Sequence, residues 1–361
     1  MAEQDALQSA VGAVEDPLLH RTLDSLGMVR EVVVGRLGKA RIEIALTVPN
    51  HPFQEQLVEQ ITEVAELAGA KTVVVDFTLM TDDERTSLME RLRPNRDMVG
   101  GPGSRTRIIG VSSGKGGVGK SSVTSNLAVA LTRMGHSVGV IDADVWGFSV
   151  PKMMGADYPP IVIDESMIAP ETYGVKVMSM DYFVADDQAV IWRGPMLHKA
   201  MEQFLVDVFW DDPDFLLIDM PPGTGDIAIS LSQFLPRAQA LVVTTPQPAA
   251  QRVAKRAALM AEKVNQEVLG VIENMSWFTG DDGKRYQLFG EGGGAALAAE
   301  IGADLLGQIP LVPAMREGAD EGRPVVVADP GGEADLAFQQ LAEAVVARKP
   351  RVRTHPELVI K

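Results

Sequence analysis

The eight residues Gly114-Lys115-Gly116-Gly117-Val118-Gly119-Lys120-Ser121 constrain this chain more than any other stretch of it. They fit the pattern G-x-x-x-x-G-K-[ST] without a gap and add a second lysine, Lys115. The apolar run Ile108-Ile109-Gly110-Val111 precedes them, and a helix-like stretch from Lys120 to Met134 follows. Strand, glycine loop and helix in that order make a cradle for phosphate. Glycines let main-chain N–H groups approach the oxygens, and the positive end of the helix faces the anion. In such a loop Lys120 lies along the β- and γ-phosphates, and Ser121 offers its hydroxyl to Mg²⁺.

The rest of the chain fits a protein built around that loop. Its 361 residues are long for one domain and comfortable for two. With 33 basic and 49 acidic residues the formal net charge is −16, which argues against a general nucleic-acid binder but leaves room for a local basic patch. No apolar run approaches the roughly 18–20 residues of a membrane span. The start, Met1-Ala2-Glu3-Gln4-Asp5, lacks the basic and apolar regions of a secretory signal, so a cytoplasmic protein is expected. There is no cysteine, which removes disulfides, thiolate nucleophiles and thiolate metal sites from the chain's own chemistry.

Hydrophobic patterning divides the sequence. Residues 1–80 read as a small α/β domain, with strands over Gly27–Val34, Ala40–Val48 and Lys71–Leu79 and a helix over Phe53–Ala68. Residues 81–106 are polar and end in Gly100-Gly101-Pro102-Gly103-Ser104; they read as a linker with a short helix over Asp83–Leu92. From 107 to 348 short apolar strands alternate with helices, which predicts a mostly parallel sheet in an α/β P-loop NTPase domain. Residues 349–361 read as a basic tail. Ligands of such sheets bind beyond the carboxyl ends of the strands.

Three further segments fall at such strand ends. Asp142-Ala143-Asp144 places carboxylates where they can orient a water facing a γ-phosphate; Asp142 fits a strand-to-loop cap equally well. Leu216-Leu217-Ile218-Asp219 closes an apolar strand with an acid that needs a partner, and Mg²⁺ supplies one. The loop after it, Met220-Pro221-Pro222-Gly223-Thr224-Gly225-Asp226, has glycines that could rearrange on loss of a phosphate. Asn274, in Glu273-Asn274-Met275, has an amide suited to an adenine edge, or to an Asx-type turn.

Together these residues resemble the deviant-Walker branch of P-loop ATPases, and within it the Mrp/ApbC group of iron–sulfur cluster carriers. Trp192-Arg193-Gly194-Pro195, Glu273-Asn274-Met275-Ser276, Phe289-Gly290-Glu291-Gly292-Gly293 and Ile309-Pro310-Leu311 extend the resemblance over roughly 107–346. Val14-Glu15-Asp16-Pro17 and Pro49-Asn50-His51-Pro52 resemble the small iron–sulfur-assembly domain often fused ahead of it. The resemblance implies an ATP-hydrolysing homodimer that serves apoproteins or assembly clients, without nucleic acid or membrane. It implies that Lys115 reaches across the interface to the partner's nucleotide, that Asp144 positions water, and that Ser121 and Asp219 serve Mg²⁺. The catalytic set is then Lys115, Lys120 and Asp144. The binding set is Gly114, Lys115, Gly116, Gly117, Val118, Gly119, Lys120, Ser121, Ser122 and Asn274.

The chain departs from this group in one respect. A Cys-x-x-Cys pair is usual after the Glu-Asn-Met-Ser segment, where this chain reads Trp277-Phe278-Thr279-Gly280-Asp281-Asp282-Gly283-Lys284. His51 likewise stands where the small domain usually has cysteine. Thiolates are the normal ligands of iron–sulfur clusters, and carboxylates are poor substitutes. The implied cluster therefore lacks its usual ligands here. A MinD/ParA-like positioning switch is the alternative reading, and a P-loop kinase of a small metabolite the third.

Overall fold

The alternating segments after residue 106 assemble, in a computed structural model, into one eight-stranded sheet. The structure describes residues 2–94, 97–144, 147, 149–183, 194–223 and 226–349. Val145 and Trp146 of the second carboxylate segment lie outside the described residues. So do Trp192 and Arg193, Thr224 and Gly225, and the basic tail from Pro350.

The chain forms two compact units, 1–96 with 161–168, and 97–160 with 169–361. In the first, helix α1 (Ala2–Gly12) is followed by strands β1 (Val29–Val34) and β2 (Lys39–Leu46), helix α2 (Gln54–Leu67), strand β3 (Thr72–Leu79) and helix α3 (Asp82–Leu92). The sheet order is β1-β2-β3, antiparallel then parallel. Helix α2 buries Leu57, Ile61 and Ala65, one helical stripe. Helix α3 starts on a capping box: Glu84 N–H donates to the Thr81 hydroxyl, and Thr81 N–H donates to the Glu84 carboxylate. A hairpin pairing Ile161–Ile163 with Ser166–Ile168 belongs to this unit, where the Thr86 hydroxyl donates to Asp164 Oδ1 at 3.1 Å.

The second unit opens with β4 (Arg107–Ser113), α4 (Lys120–Arg133) and β5 (Val138–Asp142). There follow β6 (Glu171–Thr172), β7 (Val175–Ser179), α5 (Gly194–Val206), β8 (Phe215–Asp219), α6 (Asp226–Phe234), β9 (Gln239–Thr244), α7 (Pro248–Lys263), β10 (Glu267–Glu273), α8 (Gly293–Glu300), β11 (Leu305–Gln308) and α9 (Glu333–Ala347). The sheet order is β6-β7-β5-β8-β4-β9-β10-β11, parallel throughout except for the β6 edge. Every residue of β5, β8 and β9 is buried, as expected of parallel strands covered on both faces. Along β9 the faces alternate. Leu241 and Val243 pack with Leu127 of α4 and Phe338 of α9, whereas Val242 packs with Ala254 and Ala258 of α7.

Patterning did not single out β7, the 161–168 hairpin or α6. Each is short, and α6 begins directly after a proline- and glycine-rich loop that reads as irregular chain.

Candidate nucleotide site

The carboxyl ends of β4, β5 and β8 converge on one point. Parallel register sets Asp219 beside Asp142 on one side and Val111 on the other. The glycine loop leaves β4 and turns into α4 with Gly117 and Gly119 in the left-handed region, at φ +79° and +78°. Two glycines serve close approach. A β-carbon on Gly114 would stand 2.1 Å from the carbonyl carbon of Val253 and 2.2 Å from the nitrogen of Ala254, so the loop lies against the backbone of α7. One on Gly119 would stand 2.3 Å from Asn274 Nδ2. Helix α4 begins without a side-chain cap and without an acid in its first turn. Its leading N–H groups are therefore available to an anion.

Four side chains meet under the loop. Lys120 Nζ and the Ser121 hydroxyl both donate to Asp219 Oδ2 at 2.6 Å, and the Thr124 hydroxyl donates to Asp219 Oδ1 at 2.7 Å. The partner that the acidic strand end requires is thus supplied first by Lys120, which is itself buried. Lys120 Nζ also stands 3.8 Å from Asp144 Oδ2. Lys120, Ser121, Asp144 and the loop glycines Gly116, Gly117 and Gly119 line a cleft of about 360 Å³, with Lys115, Ser122 and Pro222 on its walls. Lys115 is half-buried, and among the described residues its ammonium makes no ion pair. The Ser122 hydroxyl points to Met153 Sδ at 4.0 Å.

Asp142 and Asp144 do different work. Asp142 is fully buried and accepts from the N–H groups of Asp144, Ser149 and Val150 at 3.1–3.2 Å, so it ties down the loop after β5. Burial, reinforced by neighbouring Asp219, pushes its carboxyl up to about 7 against those three donors. Asp144 reaches the cleft. Asn274 follows β10, is 1% exposed, and donates Nδ2 to the Val118 carbonyl at 2.9 Å; its Oδ1 has no partner among the described residues. Thr124 and the Gly114–α7 contact had no sequence signal. The Glu273 carboxylate is a further addition, accepting from Ser276, Gln308 and the N–H of Gly294 at the start of α8.

Residues 104–346 match the family described as NUBPL iron-transfer P-loop NTPase. This chain belongs to that family. Residues 4–77 match a second family, described as iron-sulfur cluster assembly protein. The iron-sulfur cluster carrier protein of Mycobacterium tuberculosis is 44% identical over 355 residues, which cover 95% of this chain and 93% of the relative. Among solved structures, the nucleotide-binding protein in complex with ADP from Archaeoglobus fulgidus is 33% identical with a TM-score of 0.55. The match covers 72% of this chain and 97% of that one. The septum site-determining protein MinD with Mg-ADP from Pyrococcus horikoshii is 27% identical at a TM-score of 0.51, covering 66% and 96%.

The segment after Ser276 is a small ordered element. Phe278–Thr279 pairs with Arg285–Tyr286 in a closed hairpin. The Tyr286 hydroxyl donates to Asp282 Oδ2 at 2.9 Å, and Lys284 N–H donates to Asp282 Oδ1 at 3.0 Å. Glu333 of α9 accepts from Trp277 Nε1, the Thr279 hydroxyl and Arg285. In the small unit, His51 is buried with its Nε2 3.2 Å from Asp16 Oδ2, not aligned as a hydrogen bond. Among the described residues no three histidine or carboxylate side chains converge as a metal would require.

Proposed function

We propose that this chain is a Mg²⁺-dependent ATPase of the cytoplasm. It works as a homodimer and serves iron–sulfur assembly, with the cluster held as cargo on thiols of a partner. The observation that carries the reading is the meeting of Lys120, Ser121 and Asp219 beneath an uncapped helix N-terminus and a glycine loop. The Ser121 hydroxyl and the Asp219 carboxylate are hard oxygen donors of the kind Mg²⁺ takes. When bound, that ion would neutralise charge on the phosphate oxygens.

The chain's own residues divide the remaining work. Loop N–H groups and Lys120 hold the phosphates; Asp144 orients the attacking water and accepts its proton. Lys115, which makes no ion pair among the described residues, would reach a partner's nucleotide. Asn274 braces the loop through Val118 and keeps one acceptor, Oδ1, for an adenine amino group. Cargo ligation is assigned to a partner because the chain has no cysteine and Asp282 is committed within its hairpin.

Likeness to the MinD structure favours a second reading, an ATP-dependent positioning switch. Among the described residues no helix is long and apolar enough to cross a membrane. Co-sedimentation with liposomes and with DNA in the presence of ATP separates the two. The leading reading expects neither to pellet the chain. It also expects Mg-ATP to convert monomer to dimer in analytical ultracentrifugation, and Lys115→Ala to bind ATP while losing dimerisation and hydrolysis together. Reconstituted anaerobically with iron and sulfide, the chain alone should keep no thiolate-to-iron absorption after desalting. A stoichiometric cluster retained without added thiol or partner would overturn the cargo assignment.

A further inference from the structure

The outer face of α7 has no role in the site just described, yet its chemistry runs against that of the whole chain. In a protein of net charge −16, Arg252, Arg256 and Lys263 lie exposed on one stripe, with Leu259 between them at 42% exposure. The spacing i, i+4, i+7, i+11 puts all four side chains on one side of the helix. Opposite them, Ala250, Ala254, Ala257, Ala258 and Ala261 are buried. Lys255, off the stripe, is engaged by Glu300. Among the described residues no carboxylate pairs with Arg252, Arg256 or Lys263, although acids outnumber bases 49 to 33. Arg256, Leu259, Met260, Lys263 and one acid, Glu262, line a shallow groove of about 570 Å³, so cations outnumber the carboxylate there two to one.

We propose that this stripe is a docking surface for a protein partner that presents an acidic amphipathic helix. Glutamates at matching spacing would face the three cations, and a leucine would lie in the groove beside Leu259 and Met260. A short helix meets the stripe alone, because at physiological salt the field of more distant acids is screened beyond ~8 Å. An extended polyanion such as DNA would meet the −16 chain as a whole and find only three cations. A membrane surface would gain one leucine, too little apolar area to hold the chain. The inner side of the same helix carries Val253 and Ala254, against which Gly114 of the phosphate loop lies. A partner on α7 therefore sits one helix away from the nucleotide cleft. The proposal rests on the stripe itself and stands apart from the nucleotide reading.

The test uses the full chain and a fluorescent helical peptide as long as α7, 16 residues, with glutamates at i, i+4 and i+11 and leucine at i+7. Anisotropy should show saturable binding that weakens with salt. Arg252→Glu with Arg256→Glu should weaken it by about tenfold or more, since like charges then face each other. A peptide with lysine for glutamate should bind that double variant better than the unaltered chain, a reversal that a merely misfolded variant cannot give. Leu259→Ser should weaken both peptides. Absence of saturable binding, or equal affinity for the double variant, overturns the proposal. So does capture by phosphatidylserine vesicles or duplex DNA through the same two arginines when the peptide fails to bind.

Discussion

Gly114 has no room for a β-carbon, whereas Gly116 two residues on has open space. Gly114→Ala must push the loop off α7. It should cost about 1–3 kcal/mol of stability and weaken ATP binding by about tenfold, because overpacking against backbone has no flexible neighbour to yield. Gly116→Ala should leave the melting temperature unchanged; calorimetric titration and thermal melts of the pair decide it. Thr124→Val strips a donor from buried Asp219 and should destabilise by about 1–3 kcal/mol in chemical denaturation, with Thr124→Ser close to the unaltered chain. At this scale the phosphate loop was legible because its chemistry dictates contiguous spacing. Thr124 was not. Helix α4 also carries Ser121, Ser122 and Ser125, and nothing in their order says which hydroxyl meets an acid 95 residues away. Asp142 could be read either as cap or as catalytic acid, and its three backbone donors place it as a cap.

Among the elements, the hairpin around Gly280 is held less by its own two-residue strands than by Glu333. Burial works to raise the pKa of Glu333, but donors from Trp277, Thr279 and Arg285 outweigh it and the net shift is downward. A depressed carboxylate stabilises the fold above its unfolded value, near 4.5, and that contribution is lost as pH falls through the lower folded value. Glu333→Gln should therefore melt below the unaltered chain at neutral pH, and the gap should close as pH drops below 4.5. A gap independent of pH would mean that packing, not charge, holds the hairpin. The long strands and helices were readable from apolar period. This hairpin was not, since Gly280-Asp281-Asp282-Gly283 reads as loop and its anchor lies 56 residues downstream of Trp277.

The whole molecule is two units whose alternation of strands and helices was plain in the sequence, while the strand order and the 161–168 excursion were not. Pairing order depends on long-range packing that local pattern does not encode. Residues 1–96 expressed alone lack the hairpin that packs against α3. Joining 161–168 to them through a Gly/Ser linker should raise the melting temperature by roughly 4–8 °C for each kcal/mol regained. Identical melts would show that the hairpin contributes no stability.

That excursion also sets the order of events during synthesis. The small unit is translated first, but the hairpin that completes it emerges only after β4, α4 and β5 of the second unit have been made. At ~5–20 residues per second, the wait is on the order of several seconds. Through that interval α3 is without its hairpin neighbour, open to chaperones and proteases. The part of this chain that leaves the ribosome first must wait, for its last piece, on the synthesis of its neighbour's opening strands and helix.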